Sequence, residues 1–199
     1  MYLRPAFIET DSTRIAGLIS GNPFGLLVTH GAGGLDASHV PFVMTHNNTE
    51  IVLTGHLAAA NAQCAFFDGG AAMAVFGGPH AYISPGWYRT QPAVPTWDYA
   101  AVHVHGHLEP LDRDALMAVL RALAQGDPGG FDVDVLEGGY RDGMLKAIRG
   151  FRLRAERIEA QWKMSQNRSV ADREGVIAAL RARGKTAAAD LVAATLPAA

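Results

Sequence analysis

A single cysteine, Cys64, stands among 199 residues. One thiol excludes an intrachain disulfide framework and any Cys-rich zinc module. No stretch approaches the roughly 20 consecutive apolar residues of a membrane span. Met1-Tyr2-Leu3-Arg4-Pro5 lacks the basic segment and apolar run of a secretory signal. These lacks set the expectation of a cytoplasmic protein with no membrane partner. An excess of one charge is missing too: 17 Lys and Arg face 19 Asp and Glu, for a formal net charge of −2. A generic nucleic-acid or anionic-surface binder is usually strongly basic, so DNA as a partner has weak support. Familiar catalytic signatures are also lacking. Ser38, Ser84 and Ser165 sit in no G-x-S-x-G elbow. No Walker A or G-x-G-x-x-G sequence follows a strand pattern, and Gly31-Ala32-Gly33-Gly34 reads as a hairpin turn.

Cations are scarce where histidines are dense. Residues 1–112 carry Arg4, Arg14 and Arg89 against eight Asp and Glu, and they hold all eight histidines. Residues 113–199 carry the other fourteen basic residues against eleven acidic ones. An anionic ligand bound by the first part must therefore be met by amides, hydroxyls and imidazoles, or by cations from the second part or another subunit.

Hydrophobic periodicity orders the elements. Thr10-Asp11-Ser12 is an N-cap signal before Ile15, Leu18 and Ile19, and Gly21 is a stop. Phe24–Thr29 and Leu35–Thr45 read as a hairpin, with a second turn at His46-Asn47-Asn48-Thr49 before the strand Ile51–His56. Ala-rich Leu57–Phe67 reads as a short helix whose free N–H groups would face an anion. Ala71–Phe76 reads as a strand ended by Gly77-Gly78-Pro79, and the proline- and aromatic-rich stretch 79–98 as an ordered loop or edge. Ala101–Leu108 alternates strictly. Helices are expected over 112–125 and 136–148, a strand over 150–164, and one or two helices over 170–195 broken near Gly184. Short turns between strands favour antiparallel pairing, and six or more such strands suggest a closed barrel with peripheral helices.

His103-x-His105-x-His107 shares one strand face and offers a metal chelate, with Asp98 or His80 as the third ligand. A polar outer face or a subunit seam explains it as well, and no metal is assigned. Cys64, between apolar neighbours, reads as a buried inert thiol. The longer donor-rich segments are Ala37-Ser38-His39-Val40-Pro41, Thr54-Gly55-His56-Leu57-Ala58 with Asn61, Gly78–Pro85, Val94–Tyr99 and Lys163-Met164-Ser165-Gln166-Asn167-Arg168. Each mixes small residues, which let a flat ligand or phosphate approach the backbone, with side chains that satisfy its oxygens.

Together with Met1-Tyr2, Pro5, Pro23-Phe24-Gly25 and Val28-Thr29, these segments resemble the PaiB-type FMN-binding family over residues 1 to about 180. The resemblance implies a mainly β fold with peripheral helices. This would be an FMN-binding split β-barrel, a Greek-key antiparallel barrel, with C-terminal helices. It implies a barrel domain over 1–165 with a helical insert at about 112–148, and a helical extension over 166–199. It implies a homodimer with FMN at the interface. By the same resemblance, His56 and Asn61 match the phosphate-holding segment, and Ser38 and His39 face the flavin or its ribityl chain. Tyr82, Ser84 and Trp97 line the pocket or dimer seam, while Lys163, Gln166 and Arg168 close the site. Ala59 and Ala60 stand where many members carry larger or basic residues. Family members are described as negative transcriptional regulators, so a flavin-dependent or flavin-sensing regulator is the first expectation. An FMN-dependent oxidoreductase acting on a small molecule, of the pyridoxamine-oxidase or flavin-reductase kind, is the second. A haem-binding split barrel is the third.

Overall fold

Period-two alternation forces most of this chain into strands, because only an extended backbone puts residues i and i+2 on one face. The computed structural model describes residues 1–46 and 50–197. In chain order its elements are α1 (Ser12–Gly21), β1 (Phe24–Gly31), β2 (Gly34–Pro41), β3 (Val43–His46), β4 (Ile51–Ala58) and β5 (Ala71–Ile83). Then follow β6 (Thr96–Pro110), α2 (Arg113–Ala124), α3 (Gly138–Lys146), β7 (Ile148–Arg154), β8 (Arg157–Lys163), α4 (Val170–Arg181) and α5 (Thr186–Ala193). The strand order is β2-β1-β5-β6-β7-β4-β3, with β8 paired to β6, in a sheet of 8 strands. Every pairing with a resolved register is antiparallel, from the Phe24↔Pro41 hairpin to Leu108↔Leu153.

The chain divides into two compact units. One comprises residues 16–76 and 103–158. Its core is aromatic: Phe42 meets Phe76 at 5.2 Å and Phe151 at 5.9 Å between ring centroids, and Phe67 meets Phe151 at 5.2 Å. These edge and tilted contacts add to area burial. A satellite core of Leu116, Met117, Val133 and Leu145 holds α2 and α3 together. Asp112 caps α2 by accepting from the Ala115 N–H at 2.8 Å. The other unit comprises residues 1–15, 77–102 and 159–199. Its buried side chains include Phe7, Ile83, Trp162, Met164, Val176 and Leu180. Gly184, with φ +69°, separates α4 from α5, where a residue with a side chain would be strained.

Four expectations need correction or leave the described residues. The turn at 46–49 falls on 47–49, outside the described residues. The helix over Leu57–Phe67 is instead the end of β4 plus a 3-10 turn, Ala62–Phe66. Pairing wins over the weak helical preference of alanine: Ala58 is in register with Ile148, and the Ala59 N–H donates to Ala147 O at 2.8 Å. The N–H groups expected to face an anion are therefore partly engaged in the backbone, including that of Asn61 on Ala58 O. β5 does not stop at Gly77-Gly78-Pro79 but runs on to Ile83. Its register with β1 covers only Ala72–Val75, so Pro79 leaves no β1 partner without a donor. The strand over 150–164 is two strands, turning at Ala155-Glu156. The Ala155 N–H on Ile51 O (3.0 Å) and the Glu156 N–H on His105 O (2.9 Å) hold that turn.

Candidate cofactor site

The implied site residues fall into one group in each unit. Ser38, His39, His56 and Asn61 belong to the unit of 16–76 and 103–158. β4 there carries Ile51, Leu53, Gly55 and Leu57 into the core, so period two turns Thr54 and His56 to the opposite face. Gly55 is required by packing: an added Cβ would lie 2.9 Å from Val40 Cγ1 and 3.0 Å from Phe151 Cζ. His56 pairs in register with Gly150, over which Leu111 and Leu116 close. This half-buried position lowers the His56 pKa by desolvation, so the imidazole is neutral near pH 7 and supplies hydrogen bonds rather than charge. Its Nδ1 is buried with no hydrogen-bond partner among the described residues.

Past the end of β4 the chain turns through Ala58–Asn61. Asn61 is the hinge of the group. Its Nδ2 donates to Ser38 Oγ at 3.0 Å, and its Oδ1 accepts from the Gln63 N–H at 2.9 Å. Two residues that the sequence placed in separate motifs therefore touch. Gln63 locks the turn to the β1–β2 hairpin. It is 1% exposed, and its Nε2 donates to Leu27 O, Thr29 Oγ1 and Asp36 O at 3.2, 3.1 and 3.3 Å. His39 faces outward and stacks on Phe24, centroids 5.6 Å apart. Cys64 is half-buried rather than buried, because the 3-10 turn leaves it at the loop, where its Sγ meets Ala58 O at 3.4 Å. Burial pushes its thiol pKa up, and the Arg149 charge pulls it back down.

Sequence reasoning missed Gln63 and Arg149. Gln63 was hidden in an alanine-rich run that gave no period. Arg149 was legible only through register: β7 pairs it with Leu57, at the end of β4. Arg113, Lys146 and Arg149 also line a hollow of about 190 Å³ with Leu111, Leu116 and Asp112.

Tyr82, Ser84, Trp97, Lys163, Gln166 and Arg168 belong to the other unit. Tyr82 and Trp97 are 48% and 55% exposed and pack edge to face at 6.1 Å, with His80 6.3 Å from Trp97. Ser84 accepts from the Gly86 N–H at 3.3 Å, capping a single 3-10 turn. Lys163 donates to Thr96 Oγ1 (2.6 Å) and to Trp97 O, and lies 3.6 Å from Asp98 Oδ1. Gln166 bridges the Met164 N–H (2.6 Å) and Trp162 O. The Arg168 guanidinium sits 4.5 Å from the Tyr88 ring centroid. Each polar member of this group thus has an internal partner.

Asp98 organises the same region. It is buried, and its Oδ2 accepts from Ser165 Oγ at 2.6 Å. Ser165 has φ 54°, a left-handed conformation uncommon for a residue with a side chain. Desolvation raises the Asp98 pKa, while the Ser165 hydrogen bond and the Lys163 charge pull it down. On β6, His103 and His105 are half-buried with ring centroids 6.5 Å apart. His107, the third member of the expected chelate, binds Glu156 at 2.7 Å. The offered third ligands are engaged too, His80 with Gly78 O at 3.1 Å and Asp98 as described.

Solved structures share this arrangement of strands and helices. The flavocytochrome Anf3 of Azotobacter vinelandii superposes with a TM-score of 0.61 at 10% identity, over 81% of this chain and 72% of that one. A FAD and heme binding protein of Mycobacterium smegmatis gives 0.57 at 14% identity, over 78% and 72%. The fold is thus that of the flavin-binding split barrels. Within that class the sequence is more specific. The Bacillus subtilis protein named Protease synthase and sporulation protein PAI 2 is 34% identical over 186 residues, covering 91% of this chain and 89% of that protein. The family model described as "Putative FMN-binding domain" matches residues 1–157, and the chain belongs to that family. The donor set at the end of β4 fits such a group. A hydroxyl on β2 touches a carboxamide in the turn after β4, β4 itself carries a buried imidazole nitrogen with no partner among the described residues, and a guanidinium on β7 is in register with the same strand end.

Proposed function

We propose that this protein binds FMN with its phosphate end at the turn after β4, and acts as a flavin-dependent or flavin-sensing regulator. The observation that carries the reading is the Ser38–Asn61 hydrogen bond, backed by Gln63. A hydroxyl and a carboxamide fixed by a buried neighbour are held in place before any ligand arrives, which lowers the ordering cost of binding. The neutral His56 adds a hydrogen-bonding group without adding charge. Bound FMN would supply one- and two-electron chemistry, while the chain supplies phosphate and ribityl contacts. Residues 1–165 would carry the cofactor and 166–199 form a helical extension. The exposed Tyr82 and Trp97 support an apolar seam for a second copy, since large exposed aromatics mark interaction surfaces.

Titration of the purified chain with FMN tests this directly. Saturable quenching of flavin fluorescence and a flavin absorption spectrum are the expected results. A colourless protein that leaves FMN fluorescence unchanged would sink the reading, and a Soret band on haem addition would replace it. Regulation predicts salt-dependent binding to a specific duplex that changes with FMN occupancy. Equal weak binding to all duplexes would remove the regulatory part.

The second reading is an FMN-dependent oxidoreductase. The exposed aromatic pair favours it, because a flat substrate stacks on such a surface. Bleaching of bound flavin by NADH or NADPH would support it over a purely sensory role.

A further inference from the structure

A phosphate monoester is close to a dianion, and hydroxyls and amides alone bind it weakly in water. The turn after β4 has no cation of its own: Ala58, Ala59 and Ala60 lead to Asn61, and Ala62 follows. The structure brings one from β7. Arg149 is the register partner of Leu57, one residue short of Ala58↔Ile148, and the adjoining Ala59 N–H bonds to Ala147 O at 2.8 Å. The last pairs of β4 and β7 therefore set the Arg149 stem beside the Ala58–Asn61 turn. Its charge is felt at Cys64, whose N–H donates to Asn61 O at 3.0 Å.

Of the cations that share the hollow with Arg149, Arg113 is bonded to Asp142, and the Lys146 charge also acts on Asp142. Farther along the same ladder, Arg152 and Arg154 face Glu109 at 3.5 and 3.4 Å. Arg149 has no carboxylate within ion-pair distance among the described residues, and it is exposed. An exposed unpaired guanidinium fixed at its stem by a strand ladder is available to a ligand. Its fork matches the geometry of a phosphate group.

We propose that Arg149 is the cation of the phosphate subsite, binding the phosphomonoester dianion of FMN beside Ser38 and Asn61. The assignment rests on the FMN reading above and adds the residue that distinguishes FMN from riboflavin, which lacks the phosphate.

The test measures affinities of the full chain for FMN and for riboflavin by fluorescence quenching, with Arg149→Gln and Arg149→Lys as variants. Arg149→Gln should weaken FMN by about 10- to 100-fold, the size of one charge-assisted hydrogen bond. Riboflavin affinity should stay within about twofold, because it never meets the guanidinium. Arg149→Lys should recover part of the loss, and added inorganic phosphate should compete with FMN but not with riboflavin. Rising salt should weaken FMN binding more in the parent than in Arg149→Gln. Equal losses for both ligands would make Arg149 a structural residue, and no loss for either would remove it from the site; each result overturns the assignment. If the parent binds neither flavin, the FMN reading itself fails and Arg149 falls with it. If the parent binds FMN and only the variant comparison fails, the FMN reading survives alone.

Discussion

Replacing Gln63 by methionine keeps the volume and the apolar stem but removes the carboxamide. Three acceptors lose their donor: Leu27 O, Thr29 Oγ1 and Asp36 O, at 3.1 to 3.3 Å. The carboxamide has two N–H hydrogens, so at most two full hydrogen bonds disappear. A buried group left unpaired costs about 1–3 kcal/mol, and Thr29 as a residue is 2% exposed. One gain opposes this loss. Gln63 Oε1 is itself buried with no partner among the described residues, and methionine removes it. The net loss should therefore be about 1–2 kcal/mol. For a chain of this length that lowers Tm by roughly 2–8 °C. Thermal melts followed by circular dichroism measure it, and FMN titration of the folded variant reads the second consequence. With Gln63 gone, the turn holding Asn61 against Ser38 loses its anchor, so FMN affinity should fall although residue 63 meets no ligand. A variant that melts within about 1 °C of the parent and binds FMN equally well would refute the claim that Gln63 positions the turn.

Asp98 predicts a pH effect. Its folded pKa is raised above the ordinary 3.8, chiefly by burial. The stability it contributes is therefore fully present below the unfolded pKa and is lost as pH rises through the folded value. Asp98→Asn keeps an acceptor for Ser165 but cannot ionise. Urea melts of parent and variant should show the variant gaining relative stability as pH rises from about 4 towards neutrality, and a constant difference would contradict the burial argument. Gly175→Ala should destabilise by about 1–3 kcal/mol through overpacking, because an added Cβ would lie 2.2 Å from Trp87 O. An unchanged Tm for that variant would show that α4 can shift away from the loop.

Much of the fold is legible in the sequence where a pattern is local. Strict alternation over Ala101–Leu108 marks β6, and Asp112 marks the start of α2. The failures share one cause, which is that the deciding partner lies far along the chain. Leu57 and Ala58 look helical until Arg149 and Ile148 arrive to pair with them. Gly77-Gly78-Pro79 looks like a terminator until the short register with β1 shows that Pro79 lies beyond the β1 ladder. At the candidate site, Ser38 and Asn61 were each visible as donors, and their contact spans 23 residues that no local rule connects. Arg149 carried no motif at all. Its place follows from the ladder alone.

The stretch around Tyr88 has a consequence for how the molecule is made. The Thr90 N–H donates to Asp172 Oδ1 at 2.8 Å across 82 residues of sequence, and Arg183 lies 4.6 Å from the Trp87 ring centroid. Residues 1–15, 77–102 and 159–199 share one unit. Closing contacts between such distant segments has an entropic cost that local contacts do not. During synthesis, Trp87 and Tyr88 emerge long before α4, the helix that covers them, has been translated. The aromatic strap therefore waits on the end of the chain, and the C-terminal helices act as its clasp.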